Sequence, residues 1–231
     1  MDYFAQKWSF ILRDFLLEWD KGTQLNKKEA LSIDFGTADN LAACVDTLGN
    51  SFLVDSRAIK AYNQLWNKQV STRKEGKSQD YWDEWLDRVT RKRNHRIRDG
   101  INKAAKLIVD HCLKNSIGTI VVGWNEGFKS RAKMGIINNQ KFVQIPLGKL
   151  KDRLEQLCQI HPIQLEITEE AYTSKASYLD GDSLPEFGQK PNGWKASGKR
   201  LKRGLYKSGD GSIVNADLNG SANILRKCGS F

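Results

Sequence analysis

The 231-residue sequence predicts an α/β fold in which a mixed five-stranded sheet is flanked by helices. Three observations lead to this prediction. Three short strand-like segments follow one another early in the chain, helical periodicity dominates the middle, and the almost wholly apolar segment GTIVVGW occupies residues 118–124. An apolar run without alternation is typical of a strand that is buried on both faces of a sheet.

Residues 1–28 are predicted to form an N-terminal amphipathic helix and a linker, because large apolar side chains recur there at helical spacing. A domain is then expected to occupy residues 29–231. It opens with three strands joined by tight turns, which is the pattern of an antiparallel meander. The predicted strands cover residues 29–34, 41–46 and 51–55.

Helical periodicity fills residues 56–115, which we interpret as a basic helical insertion made of two helices. Residues 171–212 show little periodicity and much Gly, Ser, Lys and Asp, so this segment is predicted to be a loop insertion. Besides the apolar strand, the remaining predicted elements are a helix that opens near Pro146, a strand at 162–168 and a final helix with Asn215 as its N-cap.

The composition narrows the class of protein. Lys and Arg number 37 and Asp and Glu 27, so the formal net charge is +10, which most simply implies a polyanionic partner such as nucleic acid. No apolar run approaches the ~18 residues of a membrane helix, so no membrane partner is expected. The four cysteines form no CxxC pair, and they predict neither a disulfide framework nor a zinc site: Cys44, Cys112, Cys158 and Cys228.

The predicted order of elements is that of an RNase H-like domain, in which carboxylates on the first strand, a middle strand and the last helix converge on two metal ions. Asp34 ends the first strand, and Asp217 lies in the first turn of the last helix. Taken singly, the first is a turn-capping residue and the second a favourable charge at a helix N-terminus. Together, in a basic protein, they favour phosphodiester hydrolysis with Mg²⁺, a hard cation that takes oxygen ligands.

Several motifs also resemble, in the same order, segments of TnpB proteins, which are transposon-encoded relatives of type V CRISPR effectors and of Fanzor proteins. They include SIDFGTADNLAACVD, GTIVVGWNEGFK, EEAYTSKASYLDGD and NADLNGSANILRK, and the resemblance extends from Ala30 to Lys227. It implies a RuvC-type nuclease domain of RNase H-like fold, guide RNA and DNA as partners, and DNA cleavage with two Mg²⁺ ions, for which Mn²⁺ can substitute. It also implies a cytoplasmic, nucleoid-associated protein of a prokaryote.

On this resemblance Asp34 is the first catalytic and metal-binding residue and Asp217 is the third. The second acid is Glu170, which lies three residues before Thr173 in EEAYTSK. Many relatives instead carry this glutamate just after the fourth strand, where the present chain has GWNEGFK. Glu169 and Glu126 are therefore the alternative second acids.

The chain departs from the family pattern in two places. Relatives commonly follow TSK with a zinc ribbon, whereas this chain has no cysteine between Cys158 and Cys228, so no zinc is expected. Asp180 and Asp182 are expected to shape a turn there. Relatives also carry an N-terminal region that holds the guide RNA, and with about 28 residues before the first strand we expect this region to be lacking.

Basic side chains along the second helix of the insertion favour contact with phosphates over a merely solvated helix face. Trp66, Trp82, Trp85 and Trp124 are expected to be core residues rather than base-stacking platforms. The predicted nucleic-acid-binding residues are Arg91, Lys92, Arg93, Arg96 and Arg98, with Lys129 after the fourth strand and Arg203 in the loop insertion.

The leading hypothesis is a metal-dependent, RNA-guided DNA endonuclease of TnpB type. A nuclease-silent nucleic-acid binder, either a regulator or a truncated transposon remnant that needs a partner, is the alternative from a different class. A sugar-kinase-like ATPase of the same fold class is disfavoured because no second Gly-rich phosphate loop is present.

Overall fold

The structure is a computed structural model that describes residues 24–36, 39–125 and 145–229. Its centre is a five-stranded sheet of order β3-β2-β1-β4-β5, in which β2 is antiparallel to β1 and β3 while β4 and β5 run parallel to β1. The predicted mixed five-stranded sheet is confirmed. The strands are β1 (Asn26–Phe35), β2 (Asn40–Asp46), β3 (Ser51–Asp55), β4 (Ile117–Gly123) and β5 (Gln164–Thr168).

Helices cover both faces of this sheet. On one face, Leu31, Ile33 and Ile120 join the main hydrophobic core with side chains from three helices: α1 (Arg57–Lys74), α2 (Glu84–Lys114) and α3 (Leu147–Ile160). The opposite face is covered by α4 (Ala216–Cys228), whose Ser221 meets Ser32 of β1 at 2.9 Å between the hydroxyl oxygens. Successive residues of a strand point to opposite faces, so Asp34 lies on the α4 side together with Ser32.

The boundaries of the elements differ from the predicted ones by a few residues. β1 begins at Asn26 and not at residue 29, because Asn26 pairs with Ile117 through the backbone although its own side chain is exposed. The predicted amphipathic helix of residues 3–19 lies outside the described residues. None of the described helices combines the length and the apolarity needed to cross a membrane.

The prediction of a loop over residues 171–212 is wrong for the end of that segment. Three short strands form a second antiparallel sheet there: β6 (Lys199–Lys202), β7 (Leu205–Lys207) and β8 (Ile213–Asn215). Strands of three or four residues with mainly exposed side chains leave no hydrophobic alternation in the sequence. Tyr206, which is 1% exposed, anchors this sheet, and its hydroxyl donates to the carbonyl of Lys175 at 2.8 Å.

Two carboxylates hold the segment between β5 and this second sheet. Asp182 Oδ2 accepts the backbone N–H groups of Ser177 at 2.7 Å and of Ser197 at 3.0 Å. Asp180 Oδ2 accepts the N–H of Gly209 at 2.6 Å. These bonds join backbone positions between residues 177 and 209, so Asp180 and Asp182 shape the chain there.

A buried carboxylate also fixes the turn between β2 and β3. Asp46 is 3% exposed, accepts the backbone N–H of Asn50 at 2.7 Å, and lies 2.9 Å from His111 Nε2 of α2. Burial alone would raise the pKa of Asp46, but the hydrogen bonds from His111 and Asn50 outweigh burial and lower it. The ionised carboxylate therefore stabilises the folded chain.

An Asp46→Asn substitution is expected to lower the free energy of unfolding by about 1–3 kcal/mol at neutral pH, because it removes the charge of a buried, hydrogen-bonded carboxylate and replaces one acceptor oxygen by a donor. Since the folded-state pKa is lowered, this contribution is present above the unfolded-state pKa and is lost as the pH falls through the folded-state value. Urea unfolding should therefore show a difference in the free energy of unfolding between wild type and variant, and this difference should become smaller at acid pH.

The matched control is Asp110→Asn. Asp110 lies one residue before His111, but its carboxylate pairs with Lys106 on the surface and is 49% exposed. Its loss should change the stability by less than about 1 kcal/mol. Equal destabilisation by the two substitutions would contradict a structural role for the Asp46–His111 contact.

Candidate active site

Three carboxylates meet at the edge of the sheet where the parallel strands end. Asp34 is the penultimate residue of β1, and Glu170 follows the end of β5 at Thr168. Asp217 lies in the first turn of α4, which Asn215 caps by accepting the N–H groups of Asp217 at 2.9 Å and Leu218 at 3.1 Å. This cap fixes where the helix begins and so holds Asp217 at the sheet edge.

Glu170 must reach across β4, which lies between β1 and β5 in the sheet. The residue of β4 at this level is Gly123, which pairs with Thr168 of β5. A Cβ on Gly123 would collide with Ile224 of α4 and would lie 3.4 Å from Glu170 Oε2. The Glu170 carboxylate therefore lies beside a position of β4 that has no side chain.

Asn125 holds Glu170 in this orientation. The Asn125 amide donates to Glu170 Oε1 at 3.3 Å, and the Glu170 N–H donates to Asn125 Oδ1 at 3.5 Å. The alternative acid Glu169 is instead paired with Lys227 of α4, which also donates to the carbonyl of Pro185 at 3.1 Å. The other alternative, Glu126, lies outside the described residues.

Asp34 has the most perturbed carboxyl group of the three. Burial is the largest cause, the negative charges of Glu170 and Asp217 add to it, and together they raise the pKa of Asp34 to about 8, against a smaller opposing effect of Arg200. Burial also raises the pKa of Glu170. A site that penalises its own negative charge in this way favours a bound cation.

Asp217 is engaged by two side chains that sequence reasoning did not place in the site. Asn40 donates to Asp217 Oδ2 at 3.0 Å, and Arg200 Nη2 donates to Asp217 Oδ1 at 3.3 Å. Arg200 arrives on β6 of the second sheet. No sequence signal placed either residue beside Asp217, because both contacts depend on the packing of distant segments.

The three carboxylates fit a hard divalent cation by the chemistry of their oxygen atoms. Within the residues that the structure describes, however, no three His, Cys, Asp or Glu side chains are arranged to hold a metal ion as they stand. Both oxygens of Asp217 are occupied by hydrogen bonds. Mg²⁺ would be held by Asp34, Glu170 and Asp217 once Arg200 releases Asp217.

The predicted nucleic-acid-binding residues are mainly on the surface of α2. Arg93 is the half-buried one, and its guanidinium donates to Asn63 at 2.7 Å and Asn94 at 2.8 Å. Trp82 is 50% exposed, so the prediction that it is a core residue is wrong. Arg91, Lys92, Arg96 and Arg98 are exposed on α2, Arg203 is exposed between β6 and β7, and Lys129 lies outside the described residues.

Comparisons with known proteins agree on the fold. The chain is similar to a Cas12f1–sgRNA–target DNA complex (16% identity, TM-score 0.62, 86% of this chain and 50% of that one). It is also similar to a CRISPR-Cas12f ternary complex (17% identity, TM-score 0.59, 89% of this chain and 39% of that one). A third similar structure is the mini-RNA-guided endonuclease CRISPR-Cas_phi3 (12% identity, TM-score 0.50, 86% of this chain and 44% of that one). At such identities the similarity establishes a shared fold, and the chain spans half or less of the length of each.

The RNase H-like fold predicted from the order of elements, and its RuvC type implied by the resemblance, are therefore confirmed. No curated protein matches the chain. A family does match: residues 15–128 fit the OrfB_IS605 family, described as a probable transposase. The family match over residues 15–128 and the shared fold support a TnpB-like protein, as the sequence motifs predict.

Proposed function

We propose that this chain is the nuclease core of a TnpB-type, RNA-guided endonuclease that cleaves DNA with divalent metal ions. The observation that carries the proposal is the convergence of Asp34, Glu170 and Asp217 at one sheet edge, where burial and mutual repulsion raise the pKa of Asp34 to about 8. Such perturbed groups cluster at functional sites.

In this proposal Asp34, Glu170 and Asp217 hold two Mg²⁺ ions, and Mn²⁺ can substitute. When bound, the ions supply an activated water and stabilise the leaving 3′ oxygen, so that the product carries a 5′ phosphate. Asn125 orients Glu170 through its hydrogen bond, and Asn40 orients Asp217. The guanidinium of Arg200, 52% exposed beside Asp217, provides a positive charge for the substrate phosphate.

The proposed partners are a guide RNA and DNA, as in the complexes of the structural neighbours. The exposed cations of α2 provide phosphate contacts, and zinc is not required. On this proposal the protein acts in the cytoplasm of a prokaryote, in association with the nucleoid.

One observation favours a second function, that of a nuclease-silent nucleic-acid binder. Arg200 occupies Asp217 Oδ1 at 3.3 Å and thereby takes one oxygen of a proposed metal ligand. If Mg²⁺ does not displace Arg200 from Asp217, the protein still binds nucleic acid through its basic surface but does not cleave DNA.

Cleavage of labelled single-stranded DNA in Mg²⁺ or Mn²⁺, with and without RNA co-purified from the source, separates the two functions. The proposal expects cutting that is lost in Asp34→Ala. Salt-sensitive binding by wild type without any cutting would instead establish the binder.

The second acid is tested by three matched Glu→Gln variants. Glu170→Gln is expected to lower the cleavage rate by about 10²–10³-fold, because it removes one charged group from the site. Glu169→Gln is expected to cut at close to the wild-type rate, since its carboxylate faces Lys227. Loss of cutting in Glu126→Gln together with full activity in Glu170→Gln would overturn the assignment.

A further inference from the structure

A cleft of about 780 Å³ lies between α2 and α3, on the face of the sheet opposite to α4. We call it the α2–α3 cleft. Its walls include Trp66 of α1 and Ile97 of α2, which provide an apolar floor. Four cationic side chains also line it: Arg93 and Arg98 from α2, and Lys149 and Arg153 from α3.

The charge of the cleft is strongly positive. Among the described residues that line the cleft, one carboxylate, that of Asp152, stands against the four cations. The amino end of α3 adds to this field, because its first turn contains no acidic residue and its N-cap, Pro146, makes no side-chain hydrogen bond to it. An anionic ligand therefore matches the cleft better than a neutral one.

Two arginines of the cleft retain unused hydrogen-bonding capacity. Arg153 Nη1 donates to Gln156 Oε1 at 3.0 Å, but its buried Nε has no acceptor within the part of the chain that the structure describes. Arg93 is held over the ring of Trp66, 5.1 Å from its centroid, and two of its five N–H groups bond to Asn63 and Asn94. A guanidinium fixed in this way presents its remaining donors without a large loss of side-chain entropy.

Two of the helices that line the cleft also reach the end of the sheet that carries the carboxylates. Lys151 of α3 lies 5.9 Å from the ring centroid of Trp124, which packs edge-on against Phe35, the neighbour of Asp34. At the other side of the cleft, α1 starts beside this edge, where the Ser56 N–H donates to the carbonyl of Asp39 at 3.0 Å. Both α1 and α3 therefore connect the cleft to the end of the sheet where Asp34 lies.

We infer that the α2–α3 cleft binds the backbone phosphates of a single-stranded nucleic acid at a site separate from the carboxylates. The fixed guanidinium groups and Lys149 contact consecutive phosphates, and the apolar floor accommodates a base or sugar. The proposed function enters only through the choice of nucleic acid as the anion.

The test measures binding of fluorescent dT20 and rU20 oligonucleotides in EDTA, so that failure of the nuclease hypothesis does not affect the result. The variant Arg98→Gln/Lys149→Gln removes two exposed charges of the cleft. The control Lys28→Gln/Lys114→Gln removes two exposed charges at the opposite edge, where β1 begins and α2 ends.

Two lost phosphate contacts are expected to reduce the slope of log K against log salt by about 1.4 and to weaken binding about tenfold at physiological salt. The control should change both quantities by much less. If the cleft variant binds only dT20 more weakly, the ligand is DNA, and if it binds only rU20 more weakly, the ligand is RNA. Weaker binding of both oligonucleotides identifies the phosphate backbone that they share. Equal effects of cleft variant and control on both oligonucleotides would overturn the inference.

Discussion

An Asp34→Asn substitution is expected to lower DNA cleavage by at least about 10³-fold and, in EDTA, to raise the midpoint of thermal unfolding. The activity is lost because Asn carries no charge to hold a metal ion. The stability rises because a buried carboxylate, pushed to a pKa of about 8 by burial and by Glu170 and Asp217, is replaced by a neutral side chain of the same shape. Each kcal/mol gained raises the midpoint by about 2–4 °C for a chain of this size.

Thermal unfolding in EDTA and in excess Mg²⁺ checks this prediction. Mg²⁺ should raise the midpoint of the wild type, because a ligand of the folded state stabilises it, and should raise that of Asp34→Asn much less. The control is Asp99→Asn, which removes an exposed carboxylate that pairs with Lys103 on α2. An Asp34→Asn protein that is less stable in EDTA, or that gains as much from Mg²⁺ as the wild type, would contradict a metal-binding role for Asp34.

The parts of the site that follow from the order of elements were predictable from the sequence. Asp34 ends an apolar strand and Asp217 opens the last helix, and both positions are set by local patterns that a single chain displays. The sheet order then brings them together without further information. Their placement on one edge therefore needed no knowledge of individual contacts.

Glu170 was harder to place, because a residue after the fifth strand is separated from Asp34 by a whole strand. In the structure the Glu170 carboxylate lies beside Gly123, a position of β4 without a side chain. That Gly123 lies next to the end of β5 can be recognised only when the pairing of β4 with β5 is known. The same limit applies to Arg200 and Asn40, which reach Asp217 through tertiary packing.

The second sheet, formed by β6, β7 and β8, was not predicted for a different reason. The strands from Lys199 to Asn215 are three or four residues long and expose most of their side chains, so neither length nor alternation marks them. Their positions depend on carboxylate-to-backbone bonds such as those of Asp180 and Asp182. Such bonds join distant segments and leave no periodic pattern.

A Gly220→Ala substitution is expected to reduce cleavage by about 10²-fold while leaving α4 folded. In most helix interiors this change stabilises the helix, by up to about 1 kcal/mol. Here the new Cβ would lie 2.4 Å from Asp34 Oδ2, well inside contact distance, so the carboxylate must move. A displacement of about 1 Å at a reacting centre is enough to cost a factor of this size.

Gly148→Ala on α3 is the matched control, because no atom of the described residues lies within 4 Å of the Cβ it would introduce. Cleavage and the Mg²⁺-dependent shift in unfolding midpoint should both survive in Gly148→Ala and both decrease in Gly220→Ala. In an Asp34→Asn background, Gly220→Ala should cause no further decrease of the Mg²⁺ shift, since the two changes act on the same carboxylate. A fully active Gly220→Ala enzyme would show that the Asp34 carboxylate does not work from this position.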